Sequence, residues 1–322
     1  MTANSERPDI LMKCKKLFKQ YNIIIVFMVI ILICSIAAPR FFSFTNMMAI
    51  ARNSSIIGII ALGMTFVIIS GGIDLSNGHV VAASGAVLII LQKIPEVPLP
   101  VALMACVATA ALVGLVNGVV ITKAKLPPFI VTLAIGIFVR SVTMYICRGA
   151  TITGRNIKSF TNIGNGSVGV IPIPFIVLIV LAVILHITLT YTKYGSYVYA
   201  VGGNENAARY SGIRVNMIKI STFALVGFCT GIAAAIEVSR MAAVAATTSG
   251  NMYEFDAITA VIVGGTPLIG GRGRILGTVI GVLILGVVSN IMVMMNISPY
   301  LNGAVKGVVI LLAVLLQRQE KQ

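Results

Sequence analysis

Side chains that could do chemistry are scarce in this chain. Its 322 residues include nine acidic residues and two histidines, His79 and His186. Asp74 stands out because it interrupts an apolar stretch, within the segment ISGGIDLSNG. A carboxylate at bilayer depth is costly and usually lines a cavity or is paired. Asp74 can equally cap a following helix by accepting from free backbone N–H groups, so the residues leave both roles open.

No catalytic or nucleotide-binding motif is present in the sequence. It lacks the phosphate loop G-x-x-x-x-G-K-[ST], the zinc motif H-E-x-x-H and a Ser/His/Asp set. The segment GRGRILG that starts at Gly271 has the glycines of a dinucleotide loop at the wrong spacing. Five cysteines form no C-x-x-C pair and are interpreted as small buried hydrophobic residues. We therefore predict no catalytic residue, no metal site and no cofactor bound by this chain.

A second polar stretch, YAVGGNENAARYSGI, runs from Tyr199 to Ile213. Its Gly-Gly pair permits a turn, and Asn204 is a good N-cap for a short helix from Glu205 to Tyr210. Glu205 then lies at the positive end of that helix, with Arg209 one turn later. Such a helix either presents itself to a partner or is an ordinary loop helix, and the residues alone favour neither.

The amino-acid composition indicates that membrane-spanning helices position these polar residues. The chain is 58% hydrophobic and 10% charged, with a mean hydropathy of +1.01, whereas about a quarter of the residues of a soluble domain are charged. It is predicted to be an all-α polytopic membrane protein in contact with lipid. The net charge of +15 fits basic residues that flank membrane spans on the cytoplasmic side. No soluble stretch is long enough for a basic nucleic-acid-binding face, so no nucleic-acid partner is expected.

About ten membrane spans are predicted from apolar stretches of about 17 to 25 residues. They lie near 21–38, 54–70, 77–92, 99–121, 128–147, 170–191, 218–238, 256–270, 275–296 and 301–316. The first is interpreted as an uncleaved span, because it is longer than the apolar region of a signal peptide. Residues 1–20 form a basic N-terminal segment, residues 21–316 the transmembrane domain, and residues 317–322 a tail.

Lys and Arg placement predicts the orientation. With a cytoplasmic N-terminus and ten spans, basic residues are more numerous on the cytoplasmic side, as the positive-inside rule requires. Both termini and the loop 192–217 are then cytoplasmic. Arg140 and Lys306 remain inside spans, near their outer ends, where long side chains can reach the interface. The polar loop from Arg148 to Gly169 lies outside, as a simple connector or a docking surface.

Two glycine-rich interruptions share a pattern. The segments Ile69–Gly78 and Ile262–Gly271 match at five positions when they are aligned at an offset of 193 residues. Paired interruptions in two halves indicate an internal repeat and broken helices near a binding path. Uncharged polar residues in or beside spans can bond a hydroxylated solute or a neighbouring helix. The predicted translocation path therefore comprises Asn53, Ser70, Asp74, Ser76, Asn117 and Asn290.

Small residues spaced four apart predict close helix packing. The pairs are Gly114/Gly118, Gly227/Gly231, Gly277/Gly281 and Gly303/Gly307.

Four segments resemble the ribose-type ABC sugar permeases of bacterial inner membranes. They are GMTFVIISGGIDLSNG (63–78), YAVGGNENAARYSGI (199–213), FDAITAVIVGGTPLIGGRGRILGT (255–278) and AVKGVVILLAVLL (304–316). The resemblance implies a multi-pass permease subunit that pairs with a second permease chain, identical or paralogous. It also implies a cytoplasmic ATPase that uses ATP, and a periplasmic sugar-binding protein. In that family the GGN-x-x-A-A-R-x-S-G-I segment meets the ATPase.

Carried over by position, that resemblance implies an ATPase-coupling segment in the cytoplasmic loop. Its residues are Gly202, Gly203, Asn204, Glu205, Ala207, Ala208, Arg209, Ser211, Gly212 and Ile213. A β-branched residue at Gly203, or Ala at Glu205 or Arg209, is expected to abolish uptake. This chain departs from the family pattern at Asn77, His79 and Pro267, so the resemblance does not transfer the identity of the sugar.

The predicted function is translocation of a ribose-like or related monosaccharide by alternating access, driven by the partner ATPase. Two alternatives remain at this point. An ion-gradient-driven secondary transporter of a small polar solute would need an ion site at mid-membrane, for which Asp74 is the candidate. A scaffold without transport is disfavoured by the paired breaks.

Overall fold

The described part of the chain is helical, apart from two short strand pairs. The computed structural model describes residues 40–155 and 157–298, together with residues 28, 31–32, 38, 301, 303–304 and 307–308. The helices are α1 (Phe44–Ile69), α2 (Asn77–Lys93), α3 (Leu99–Ala124), α4 (Pro128–Ile146), α5 (Lys158–Asn165), α6 (Ile173–Tyr191), α7 (Lys193–Gly203), α8 (Glu205–Tyr210), α9 (Val215–Met241), α10 (Tyr253–Val263) and α11 (Ile275–Met294). The strands are β1 (Thr151–Thr153), β2 (Ser167–Val168), β3 (Ile171–Pro172) and β4 (Ala243–Ala245).

Six of the described helices are long and apolar enough to cross a membrane: α1, α3, α4, α6, α9 and α11. Each coincides with a predicted span. Helix α2 has 17 residues and is about 25 Å long, which is less than the hydrocarbon core. The predicted span 256–270 is wrong, because α10 has 11 residues and ends before the glycines. The predicted spans 21–38 and 301–316 lie largely outside the described residues.

Helices α1 and α9 form the centre of the fold. Helix α1 packs against α6, α9, α10 and α11, and α9 packs against α1, α2, α3 and α5. The α3–α9 contact confirms two predicted glycine seams, since a side chain at Gly114 or Gly227 would run into backbone of the facing helix. Gly277 and Gly281 similarly face α10 backbone at Gly264 and Ala260. Close backbone approach of this kind is how helices associate in lipid.

The two ends of α9 define the two ends of the fold. Helix α8 lies beside the start of α9, and we call this the α8 end. At the other end, β4 follows α9 and pairs antiparallel with β1, with Thr151 opposite Ala245; we call this the sheet end. The 27 residues of α9 separate the two ends by about 40 Å. The predicted outer loop 148–169 contains β1, α5 and β2, and α5 packs on α9 near Arg240.

Both glycine-rich interruptions end a helix with the same hydrogen-bonded turn. After α1, the Gly72 N–H donates to the Val67 carbonyl (2.9 Å) and the Gly71 N–H to Ile68 (2.9 Å). After α10, the Thr266 N–H donates to Val261 (3.1 Å) and the Gly265 N–H to Ile262 (2.8 Å). This is the Schellman pattern.

The glycines that carry the left-handed conformation in these turns are Gly71 (φ +83°) and Gly265 (φ +86°). The equivalent backbone positions are therefore 194 residues apart. The alignment at 193 matched identical letters but was wrong by one residue, because the left-handed φ, not the number of glycines, defines the turn.

Candidate functional site

Helix α8 is a short, capped and largely exposed helix. The Asn204 Oδ1 accepts from the Ala207 N–H at 3.0 Å, with the Asn204 backbone extended (φ −158°). This confirms Asn204 as the N-cap. Ala208 is buried beneath the helix, whereas Tyr210 is 90% exposed. The helix thus presents most of its surface to a partner or to solvent.

Glu205 fastens α8 to α9. Its Oε2 accepts from the Lys219 ammonium at 2.6 Å, and its Oε1 accepts from the Arg209 guanidinium at 2.9 Å. Lys219, together with Arg209, holds the pKa of the Glu205 carboxyl below its usual range. Because that pKa is lowered, the pair contributes its full stabilisation above the usual pKa and loses it only as the pH falls through the lowered value. The attachment is therefore constant from neutral to mildly acidic pH.

Helix α7 contacts both glycine-rich interruptions. The Tyr199 hydroxyl donates to the Gly273 carbonyl at 2.7 Å. Gly202 lies so close to the Ile69 carbonyl and the Gly271 N–H that a Cβ there would collide with both. At Gly203, in contrast, a Cβ would have no neighbouring atom within 4 Å. Of the two glycines, Gly202 is therefore the sterically restricted one, and loss of uptake on placing a β-branched residue at Gly203 stays a prediction.

The two interruptions also bind each other. The Gly271 N–H donates to the Ile69 carbonyl at 2.9 Å. One turn into the neighbouring helices, the Thr65 and Thr278 hydroxyls lie 2.7 Å apart, between α1 and α11. The Ile69 carbonyl is thus the point where α1, α7 and the segment before α11 meet.

A buried polar cluster surrounds the first interruption. The Asp74 Oδ1 accepts from the Ser76 N–H (2.8 Å) and the Ser76 hydroxyl (2.6 Å), and the Asn117 amide donates to Ser76 Oγ (2.9 Å). Asn77, at the start of α2, accepts from the Thr230 hydroxyl of α9 at 2.8 Å. All five side chains are at most 1% exposed. Asp74 therefore stabilises the turn before α2 rather than capping N–H groups within the helix.

Arg140 connects α4 with α2 and with the loop after β4. Its Nε donates to His79 Nδ1 (3.2 Å), and its terminal nitrogen donates to the carbonyls of Ala246 (2.8 Å) and Ser249 (3.0 Å). The expectation that Arg140 reaches toward the membrane interface is wrong, because its guanidinium is satisfied inside the protein. In the same loop, Gly250 packs directly on the backbone of Gly78.

Residues 46–314 match the family model described as the branched-chain amino acid transport system permease component. The chain belongs to this permease family. As a permease component it is a transport subunit, not an enzyme. Among the residues that the structure describes, no group of three or more His, Cys, Asp or Glu side chains could hold a metal ion.

Curated relatives of the permease include sugar transport subunits. The ribose import permease of Haemophilus influenzae is 42% identical over 294 residues, which is 90% of each chain. The L-arabinose transport system permease of Escherichia coli is 35% identical over 321 residues, covering 100% of this chain and 97% of the relative. The D-allose transport system permease of E. coli is 34% identical over 300 residues, covering 93% and 91%. No solved structure matches the chain.

The predicted path residues of the permease do not form one site. Asp74, Ser76 and Asn117 come together in the buried cluster. Ser70 lies apart from them, at 3.3 Å from the Thr222 hydroxyl. Asn53 accepts from Arg240 on an exposed surface (3.0 Å), and Asn290 exchanges amide hydrogen bonds with Asn46 at 2.8 and 3.0 Å. These last two side chains are accounted for by bonds between helices.

Several site residues of the permease were missed from the sequence. Lys219 is 14 positions from Glu205, beyond any helical spacing rule. Thr230 is a hydroxyl residue in a largely apolar helix, a pattern typical of side chains that bond their own helix backbone. Asn77 follows the G-I-D-L-S motif directly, so position in the motif was the one signal available. Tyr199 was within the singled-out stretch, but its partner Gly273 is distant in sequence.

We expect Lys219→Met to loosen α8. Lys219 donates to Glu205 at 2.6 Å and is 22% exposed, so its loss should speed amide hydrogen exchange across residues 207–212 about threefold. Arg214→Met is the control, because it removes the same charge from an exposed side chain nearby. Equal exchange rates in the two variants would show that the Glu205–Lys219 pair does not hold the helix.

Proposed function

We propose that the permease is the membrane subunit of an ABC importer and translocates a monosaccharide across the bacterial inner membrane by alternating access. The observation that carries this proposal is the capped, exposed helix α8, which is attached through α7 to both glycine-rich interruptions. The relatives named for ribose, L-arabinose and D-allose transport support a pentose or hexose as the solute.

In this proposal α8 faces the cytoplasm and binds the ATPase, which hydrolyses ATP. The coupling segment is Gly202 to Ile213, and both chain termini are on the same side. The sheet end then faces the periplasm, where Arg148 and Lys158 are exposed and can meet acidic residues of a sugar-binding protein. A second permease chain, identical or paralogous, completes the transporter in this proposal, as the resemblance to the sugar permeases implies.

The proposal also accounts for the helices that the structure describes and for the two interruptions. The described residues supply six long helices, the short α2 and the half-length α10. Helices α1 and α10 both end at an interruption with the same turn. In this proposal they are the corresponding broken helices of an internal repeat, as in transporters whose solute path runs between related halves.

Reconstitution tests this function directly. The permease, purified from its host with the proteins that accompany it, is placed in liposomes with D-ribose, L-arabinose or D-allose as the probe. We expect an ATP-hydrolysing subunit to copurify. Uptake of one of these sugars should require ATP and rise at least about tenfold over liposomes without ATP.

A different energy source would overturn the proposal. Uptake driven by a proton or sodium gradient in liposomes that contain the permease alone would make it a secondary transporter. Copurification of partners without any sugar uptake, with or without ATP, would favour a scaffold.

A further inference from the structure

Helix α7 contacts both interruptions through its backbone at Gly202, with no flexible side chain between the contacting backbones. Gly202 packs on the Ile69 carbonyl that ends α1, and on the Gly271 N–H that leads to α11. Gly271 in turn packs on the Cα of Gly203. Contacts between backbones leave no rotamers to absorb a displacement, so a shift of α7 must displace both segments.

Tyr199 adds a directional link to the same junction. Its hydroxyl donates to the Gly273 carbonyl at 2.7 Å, two residues beyond the hydrogen bond between Gly271 and Ile69. The aromatic ring spans the distance from α7 to the segment before α11. A movement of α7 toward the junction is transmitted by the Gly202 backbone contact. A movement away from it is transmitted by the Tyr199 hydrogen bond.

Glycines with left-handed backbone lie on both sides of this junction. They are Gly71 (φ +83°), Gly265 (φ +86°), Gly270 (φ +86°) and Gly271 (φ +74°). A few such positions at the ends of helices can absorb the backbone rotation of a hinge. The helices beyond them, α1 and α11 in particular, can then reorient as rigid bodies.

Helix α8 is attached to both α7 and α9. It follows α7 directly through Asn204, whose backbone N–H donates to the Ala200 carbonyl at 3.1 Å. The Glu205–Lys219 pair fixes it to α9 as well. A partner that moves α8 therefore moves α7.

We infer that Gly202 and Tyr199 are the positioning residues that carry a displacement of α8 to both glycine-rich interruptions at once, through the shared Ile69 carbonyl. The inference rests on the proposed function, because it assumes that an ATPase moves α8. By this inference, α7 couples ATP hydrolysis to transport, whereas the exposed residues only bind the ATPase.

The experiment compares two variants with matched controls on the same helix. Gly202→Ala places a methyl group against the Ile69 carbonyl, and its control is Ser196→Ala, which changes an exposed residue of the same helix outside the coupling segment. Tyr199→Phe removes the hydroxyl that bonds Gly273 without changing the ring. Its control is Tyr197→Phe, since Tyr197 is exposed. Each is reconstituted as the complete complex, with ribose, L-arabinose and D-allose as probes.

Three quantities are measured: recovery of the ATPase with the permease, ATP hydrolysis, and sugar taken up per ATP hydrolysed. In Gly202→Ala we expect recovery and hydrolysis within about twofold of wild type, and uptake per ATP at least about tenfold lower. In Tyr199→Phe the loss of one hydrogen bond should lower uptake per ATP about threefold. Both controls should stay within about twofold of wild type.

The outcomes separate this inference from the proposed function. Wild-type uptake per ATP in both Gly202→Ala and Tyr199→Phe would overturn the inference and leave the importer intact. A parallel fall of all three quantities in Tyr199→Phe would also overturn it, because α7 would then be only a structural support. If the wild-type permease recovers no ATPase, the proposed function itself fails.

Discussion

Replacing Arg140 with methionine is expected to abolish transport and to destabilise the permease. The guanidinium donates to His79 Nδ1 and to the carbonyls of Ala246 and Ser249. Methionine fills a similar volume but leaves these acceptors without a donor. Leaving a buried acceptor without its donor costs about 1–3 kcal/mol, and three acceptors lose their donor here.

The effect should be local to the loop 246–252, which Arg140 holds against the start of α2. We expect faster amide exchange in that loop, a melting temperature in detergent lower by roughly 5–10 °C, and no measurable uptake. Arg140→Lys keeps the charge but presents a point donor in place of a planar fork, so it should rescue part of the stability.

Arg155→Met is the matched control, because Arg155 is a basic residue with an exposed side chain near the same end of the fold. It should melt within about 1 °C of wild type, as substitutions at exposed sites usually do. An Arg140→Met variant that melts and transports like Arg155→Met would refute the structural role assigned to Arg140.

Local features of the fold could be predicted from the sequence. Asn204 as an N-cap depends on residues two to three positions away, and the structure has that bond. The Gly114/Gly118 and Gly227/Gly231 seams are also local patterns, and these two seams face each other. The glycine pattern could not predict which helix packs against each seam, because several helices have a similar hydropathy.

Features that depend on tertiary contacts were missed. Arg140 was expected near the interface because its position along the helix is visible in the sequence, whereas the inward direction of its side chain and the loop it binds are not. The span predicted at 256–270 failed for a related reason. Hydropathy continues through Leu268 and Ile269, but the left-handed Gly265 has already ended α10. A hydropathy window averages over such a turn.

The Asp74 position can distinguish a hydrogen-bonding role from a role of charge. Asp74→Leu removes the acceptor for both the N–H and the hydroxyl of Ser76, each of which is buried. An unsatisfied buried donor costs about 1–3 kcal/mol, so we expect misfolding or loss of uptake by more than about 30-fold. Asp74→Asn retains one acceptor oxygen for Ser76. It also adds an amide donor close to Asn117, whose Oδ1 is buried without a partner among the described residues.

Asp74→Asn should therefore keep uptake within about threefold of wild type. Asn53→Leu is the control for loss of a polar side chain, because Asn53 is exposed and bonds only Arg240 among its described contacts. Equal, severe loss in Asp74→Asn and Asp74→Leu, with both proteins folded, would mean that the negative charge itself is required. A charge requirement at this depth, where Asp74 is 1% exposed, would favour ion coupling over a path that recognises its solute through hydrogen bonds.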